Sequence, residues 1–236
     1  MKNIKLLLSL LIIISQPIFA QKTANEGYFE GIVTYKLTPI SYLAPEIAYQ
    51  FPTKMELYIK GTKTRSEMTM GRLMQAEIAD PNTKMSYTLL HIVDKGKNLD
   101  EKVVFKKTSQ EREKERAKSP LPTLTYYDDS VKIILGYTCR KVVAYSKDPQ
   151  WGTEYYANIW YTKAIGNHEL NFNSIYPGLD GLLMEYEIYS VKSDLAVRYT
   201  VEKIEKKSVK DKEFKVPSKF KETTLTELLK KYSSSL

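Results

Sequence analysis

Cysteine is almost missing from this sequence. Cys139 is the only one in 236 residues, so no intramolecular disulfide can form. A disulfide-stapled scaffold is excluded, and stability has to come from a buried core, which a chain of this length can build. Histidine is nearly as scarce, with only His91 and His168. Neither belongs to a His-Glu-x-x-His or Cys-x-x-Cys pattern, so no metal site is expected. Neither a Gly-x-Ser-x-Gly elbow nor a Gly-rich phosphate loop occurs, and no cofactor is expected. After the first twenty residues there is no second long apolar run. The 36 basic and 28 acidic residues give a formal charge of +8, but the two signs are interspersed along almost every segment. A basic patch with interleaved aromatics is lacking, which argues against a nucleic-acid partner. The basic balance leaves mild attraction to anionic membrane surfaces.

What is present begins with an export signal. Lys2 and Lys5 precede an apolar run from Leu6 to Ile14, and Pro17-Ile18-Phe19-Ala20 closes it. The run is shorter than the ~20 apolar residues of a membrane span. Cleavage near Ala20 is expected, with the protein delivered to the periplasm or the exterior. Residues 21–236 are then expected to form a single β-rich domain.

Period-two alternation dominates the rest of the chain. Phe29, Gly31, Val33, Tyr35 and Leu37 alternate with polar positions, as do Met55, Leu57 and Ile59. Residues 64–70, 73–78, 84–91 and 102–105 read as further short strands. Residues 131–135, 140–146 and 154–162 continue the pattern after a break. Leu195, Val197, Tyr199 and Val201 alternate with Asp194, Ala196, Arg198 and Thr200. Short strands punctuated by Gly, Pro, Asn and Asp predict an antiparallel, mainly β fold. Cys139, in the strand-like Gly136–Val143, reads as a small apolar residue packed in a strand, with a reactive thiol as the alternative.

Tyr176-Pro177-Gly178-Leu179-Asp180-Gly181 is the strongest turn signal in the chain. It runs into a strand in which Met184, Tyr186 and Ile188 share one face, and Glu185 and Glu187 the other. Three segments break the strand pattern. Ile40–Phe51 is apolar and aromatic without alternation, and reads equally as a lid, a short helix or a packed connection. Residues 106–120 are a charged connection with opposite signs at i, i+3 (Glu111 and Lys114, Glu113 and Arg116), and are expected to be solvated. Residues 222–233 predict a C-terminal helix, with Thr224 and Glu227 forming a capping box.

Eighteen tyrosines stand out. Tyrosine offers apolar area with a polar tip, which suits cavity walls and interfaces, although it also fits pleated sheets in general. The strand faces nominate Tyr35, Tyr155, Ile159, Trp160, Met184 and Tyr186 as ligand-binding candidates. Glu185 and Glu187, two residues apart on one strand face, are the only paired carboxylates that suggest hydrolysis, and pairing with neighbouring cations is the simpler expectation. No catalytic residue is assigned.

Three segments carry a family resemblance. Residues 132–141 (Lys-Ile-Ile-Leu-Gly-Tyr-Thr-Cys-Arg-Lys), Ile159-Trp160-Tyr161-Thr162 and Pro177-Gly178-Leu179-Asp180-Gly181-Leu182-Leu183 resemble the GLPGLI family. They resemble equally related exported proteins of unknown function from Gram-negative bacteria. The family's name motif, Gly-Leu-Pro-Gly-Leu-Ile, corresponds here to Gly178–Leu183, with Asp180 in place of Pro and Leu183 in place of Ile. The resemblance spans roughly residues 27–205 and omits the charge run and the C-terminal helix. It implies a single curved antiparallel sheet, an unclosed half-barrel with a short lid, similar to periplasmic lipoprotein carriers. It implies no established activity. The expectation is a non-enzymatic periplasmic binding or carrier protein whose partner is a lipid, an acyl chain or another apolar ligand. The alternative is a cell-envelope module whose partner is another protein. A hydrolase using Glu185 or Glu187 ranks below both.

Overall fold

The computed structural model describes residues 28–118, 121–147, 154–190, 195–224, 226–228 and 230. The expected export signal, Met1–Ala20, lies outside them. Six strands come first: β1 (Glu30–Pro39), β2 (Lys54–Lys60), β3 (Lys63–Met70), β4 (Leu73–Asp80), β5 (Met85–Asp94) and β6 (Leu99–Lys107). A one-turn helix, α1 (Pro45–Ala48), interrupts the β1–β2 connection, and α2 (Ser109–Lys118) follows β6. Then come β7 (Thr123–Ile134), β8 (Tyr137–Lys147), β9 (Glu154–Thr162), β10 (Leu182–Ser190), β11 (Leu195–Lys206) and β12 (Lys221–Glu222).

All twelve strands belong to one curved, unclosed sheet in the order β12-β6-β5-β4-β3-β2-β1-β11-β10-β9-β8-β7. The mainly β, half-barrel architecture expected from the sequence is the one observed. Every pairing is antiparallel except β12 with β6. The chain makes two meanders, β1–β6 and β7–β11, and the β1–β11 pairing joins them.

The alternating residues of β1 show why the pattern was legible. Val33, Tyr35 and Leu37 are buried, while Thr34, Lys36 and Thr38 are not. They join a large core on the inner face with Met55, Ile59, Val142, Ile159, Met184 and Val201. A second, smaller core lies on the outer face of β4–β6. There Ala76, Ile78, Leu89 and Val104 are covered by Phe214, Val216 and Phe220 of the returning C-terminal segment. Lys221 and Glu222 pair with β6, so the final helix starts after them. Its box is in place: Glu227 N–H donates to Thr224 Oγ1 at 3.2 Å, and Thr224 N–H to Glu227 Oε2 at 2.9 Å.

Strand β7 starts eight residues earlier than its alternation suggested. Its register steps from Tyr127 opposite Lys141 to Val131 opposite Arg140, leaving Asp128-Asp129-Ser130 as a bulge. The bulge breaks the period, which hides the first half of the strand from pattern reading. Leu135 (φ 50°) and Gly136 (φ 80°) make the tight turn into β8.

The turn motif enters β10 through Gly181. Its φ is 113°, and a Cβ there would sit 2.1 Å from the carbonyl oxygen of Thr162. Both the backbone conformation and the close approach require glycine. Gly181→Ala is expected to lower unfolding free energy by about 1–3 kcal/mol. Equilibrium urea unfolding checks this, and unchanged stability would show that the turn relaxes freely.

A candidate ligand cavity under the β9–β10 connection

Residues 163–181, between β9 and β10, do not leave the sheet. They fold back across its inner face, and Ile165, Leu170, Tyr176 and Leu179 are buried in the main core. A 3₁₀ turn at His168–Asn171 is capped by Asn167, whose side chain accepts from Glu169 N–H at 2.9 Å. The buried amide of Asn171 donates to both Leu179 O and Gly181 O at 2.7 Å. Tyr176 Oη donates to Glu187 O at 2.5 Å. The connection is thus tied to itself and to β10 by buried polar groups that are satisfied within the protein.

Between this connection and strands β1–β4, β10 and β11 lies a cavity of about 330 Å³. That is at the lower end of the ~300–1,000 Å³ typical of small-molecule sites. One wall is aromatic. Tyr186 and Tyr199 stack with ring centroids 4.7 Å apart and planes 9° apart, and Tyr35 and Tyr176 meet Tyr186 edge-on at 6.0 and 6.4 Å. Tyr35 Oη donates to Leu183 O at 2.8 Å. Burial raises the phenol pKa of Tyr35, Tyr176, Tyr186 and Tyr199, so all four stay neutral. Met55, Leu57 and Met68 supply aliphatic surface opposite.

The polar end of the cavity is carried by β3 and β4. Ser66 pairs with Glu77 across these strands, and both line the space. Glu77 accepts from Gln75 Nε2 at 3.1 Å and from Asn173 Nδ2 at 3.2 Å. Burial pushes its pKa above the ordinary carboxylate value, against those two bonds and the attraction of Lys107.

Of the six candidates read from strand faces, Tyr35 and Tyr186 meet at this cavity. Ile159 and Met184 are fully buried in the core instead. A register shift between Leu183 and Glu185 takes Met184 out of alternation and gives Leu183 the cavity position. Tyr155 packs against Tyr189 at 6.3 Å. Trp160 lies under the ammonium of Lys132, 5.5 Å from its ring centroid. Neither lines the cavity. Sequence reasoning missed Glu77, Asn173, Tyr176 and Tyr199. Tyr199 was legible as an apolar-face residue of β11, but nothing in the sequence showed that 163–181 would cross the inner face. In the Ile40–Phe51 segment, Tyr42 and Tyr49 are exposed and Phe51 packs on the core.

The carboxylates considered for hydrolysis are both paired. Glu185 accepts from Lys132 Nζ at 3.0 and 3.1 Å. Glu187 accepts from Arg198 Nη2 at 2.8 Å, Tyr189 Oη at 2.9 Å and Asn158 N–H at 3.4 Å. Burial alone would raise its pKa, but these bonds hold it below the usual carboxylate range. Cys139 is buried, its thiol pushed up to about 11 by desolvation, and it donates to Tyr137 O at 3.4 Å. Among the described residues no group of three metal-ligating side chains converges, and no helix is long and apolar enough to cross a membrane.

No family model and no curated protein matches the chain. Solved structures similar to it at low level include the following two. One is lipoprotein LppX of Mycobacterium tuberculosis, with a TM-score of 0.36 and 9% identity over 77% of this chain and 89% of that one. The other is an uncharacterized conserved protein from Thermus thermophilus, with a TM-score of 0.32 and 10% identity over 82% and 90% of the two chains. Likeness of this degree carries no inference about ligand or role.

Glu77 sets a pH dependence whose sign is fixed. The folded chain holds its proton more tightly than the unfolded chain. Its contribution is therefore fully present below the unfolded-state pKa and is lost as pH rises through the folded-state value. Glu77→Gln removes that loss. The stability difference between variant and wild type is expected to grow in the variant's favour between about pH 4 and pH 7. Urea unfolding across that range measures it, and a flat difference would show that Glu77 ionises as easily folded as unfolded.

Proposed function

We propose that this protein is a non-enzymatic binding or carrier protein of the cell envelope whose ligand is apolar, a lipid or acyl chain. The observation that carries this reading is the cavity of about 330 Å³ between the tyrosine cluster and the β9–β10 connection. A domain core normally packs to crystal-like density, with few voids larger than a water. An apolar space of this size, edged by a few convergent polar groups, is how ligand sites are built. Leu182 and Leu183, at the end of the Gly178–Leu183 segment, support the same reading by adding aliphatic surface to the cavity. The export signal read in Met1–Ala20 would place the protein in the periplasm.

The test is to purify the processed protein from its native envelope, extract it with organic solvent and identify what is released by mass spectrometry. A stoichiometric apolar molecule is expected. Met68→Trp, which fills the cavity with another apolar side chain, is expected to reduce the bound amount by about tenfold while the protein stays folded. An empty extract from folded wild-type protein would overturn the reading.

Strand β7 favours a second reading, an envelope protein partner. It closes one end of the sheet, with no strand beyond it among the described residues. Val131 and Ile133 on it are 53% and 62% exposed, and Tyr126 and Tyr127 are exposed as well. An apolar edge strand is a template for strand addition. A photo-crosslinker at Ile133 in cells is expected to capture a defined protein if this edge is used, and only monomeric protein if it is not.

A further inference from the structure

A recess of about 200 Å³ lies beside the cavity, between α2 and the 163–181 connection. Lys107, Arg112 and Arg116 line it, with Glu115 as the single carboxylate and Phe172 and Leu121 as apolar walls. Asn173 and Ser174 line both spaces, so recess and cavity abut there.

Arg112 is the unusual member. It belongs to the most charged stretch of the chain, expected to be solvated, yet it is only 7% exposed. Its position follows from how α2 starts. Thr108 N–H donates to Glu111 Oε2 at 2.8 Å, and Glu111 N–H donates to Thr108 Oγ1 at 3.3 Å, which is a reciprocal cap. The cap turns the next residue inward. The guanidinium carbon lies 4.2 Å from the centroid of the Phe172 ring. Nη2 donates to Ser86 Oγ at 2.7 Å and to Asn173 Oδ1 at 3.5 Å. Both partners are neutral. Nε is buried with no hydrogen-bond partner, and among the described residues Arg112 forms no ion pair. Lys107 is already paired with Glu115 at 2.7 Å, which leaves Arg116 as a second cation in the recess without a carboxylate in contact among the described residues.

A buried guanidinium with an orphan N–H and no direct ion pair, its nearest carboxylate Glu115 being held by Lys107, is costly unless something supplies an anion in contact. Its planar fork matches the two oxygens of a carboxylate or phosphate. Asn173 separates it from Glu77, since its Oδ1 accepts from Arg112 while its Nδ2 donates to Glu77. An anion at Arg112 is therefore kept to one side of the amide, away from the acid on the other.

We propose that the ligand is an anionic amphiphile, with its carboxylate or phosphate head in the recess against Arg112 and Arg116 and its chain in the tyrosine-lined cavity. This rests on the apolar-ligand reading and names the class of ligand. The cavity's volume sets the scale of the chain it can cover. A water occupies ~30 Å³ of liquid and a methylene is of similar size, so about 330 Å³ takes roughly ten chain carbons.

The experiment is isothermal titration of the full processed chain, stripped of lipid, with decanoate, decyl phosphate, decanol and decylamine. The two anions are expected to bind about tenfold or more tighter than decanol. Whichever anion binds tighter identifies the head as carboxylate or phosphate, and both outcomes support the proposal. Arg112→Gln is expected to abolish the preference while decanol affinity stays within about twofold. Circular dichroism checks that this variant is folded. Arg116→Gln, at a more accessible position, is expected to narrow the preference without touching the cavity. Equal affinity for decanol and the anions, or tighter binding of decylamine, would overturn the anionic head and leave the apolar-ligand reading standing. Failure of all four to bind would remove both. The wild-type comparison decides the question even if neither variant folds.

Discussion

The inner face of this protein depends on one buried amide. Asn171 donates to Leu179 O and Gly181 O, and so fixes the turn that returns the chain from the 3₁₀ segment to β10. Without those bonds two carbonyls would be buried unpaired, a cost of about 1–3 kcal/mol for each such group. With them, the connection is held across the curved sheet, Tyr176 reaches the carbonyl of Glu187, and the strands beneath are kept from collapsing onto each other's side chains. The cavity is the space left between two surfaces that are each rigid for their own reasons. One is the hydrogen-bonded ladder of the sheet, and the other is a loop whose polar groups are satisfied within itself and by β10 and β4.

Polar groups at the edge of that space are arranged in sequence across it: Arg112, then Asn173, then Glu77. A core built only for stability would avoid this. Replacing buried ionic groups with well-packed apolar ones is often neutral or stabilising. Here an acid and a cation sit within reach of the same amide without touching each other, beside an aromatic wall. The proposed ligand site would account for such an arrangement.

Much of the sheet was legible because its strands are half-buried and therefore alternate. β1, β2 and β11 each announce themselves by period two, β9 reads as a strand with large residues on both faces, and the capping box at Thr224 and Glu227 was visible as a pattern. The first half of β7 was not, since a three-residue bulge at Asp128–Ser130 breaks the period. Tyr35 and Tyr186 share the inner face that alternation assigns them, because the strand face alone decides which way they point. Met184 was moved from the cavity lining into the adjoining core by the irregularity in β10, which leaves no trace in composition. Glu77 looked like any outward acid of an alternating strand, and its environment comes from Asn173, 96 residues away in sequence. Arg112 was hidden by its neighbours. In a run with no apolar stripe, a single residue turned inward is set by the local cap and by a tertiary partner, and only the cap has a sequence signal.

The strand order also fixes how the molecule can assemble. Within β1–β6, and again within β7–β11, each strand lies beside its neighbour in sequence, so both halves can zip up from adjacent hairpins. Among the described residues, the one strand pairing between these two meanders is β1 with β11, with Gly31 opposite Lys206. Closing so long a loop precedes any reward from the contacts it makes. Until that seam forms, the chain is two half-sheets, each with a raw strand edge and an apolar face open to solvent. Contact order makes joining them the step expected to be slowest, and it is also the interval in which an identical molecule can offer the missing strand instead.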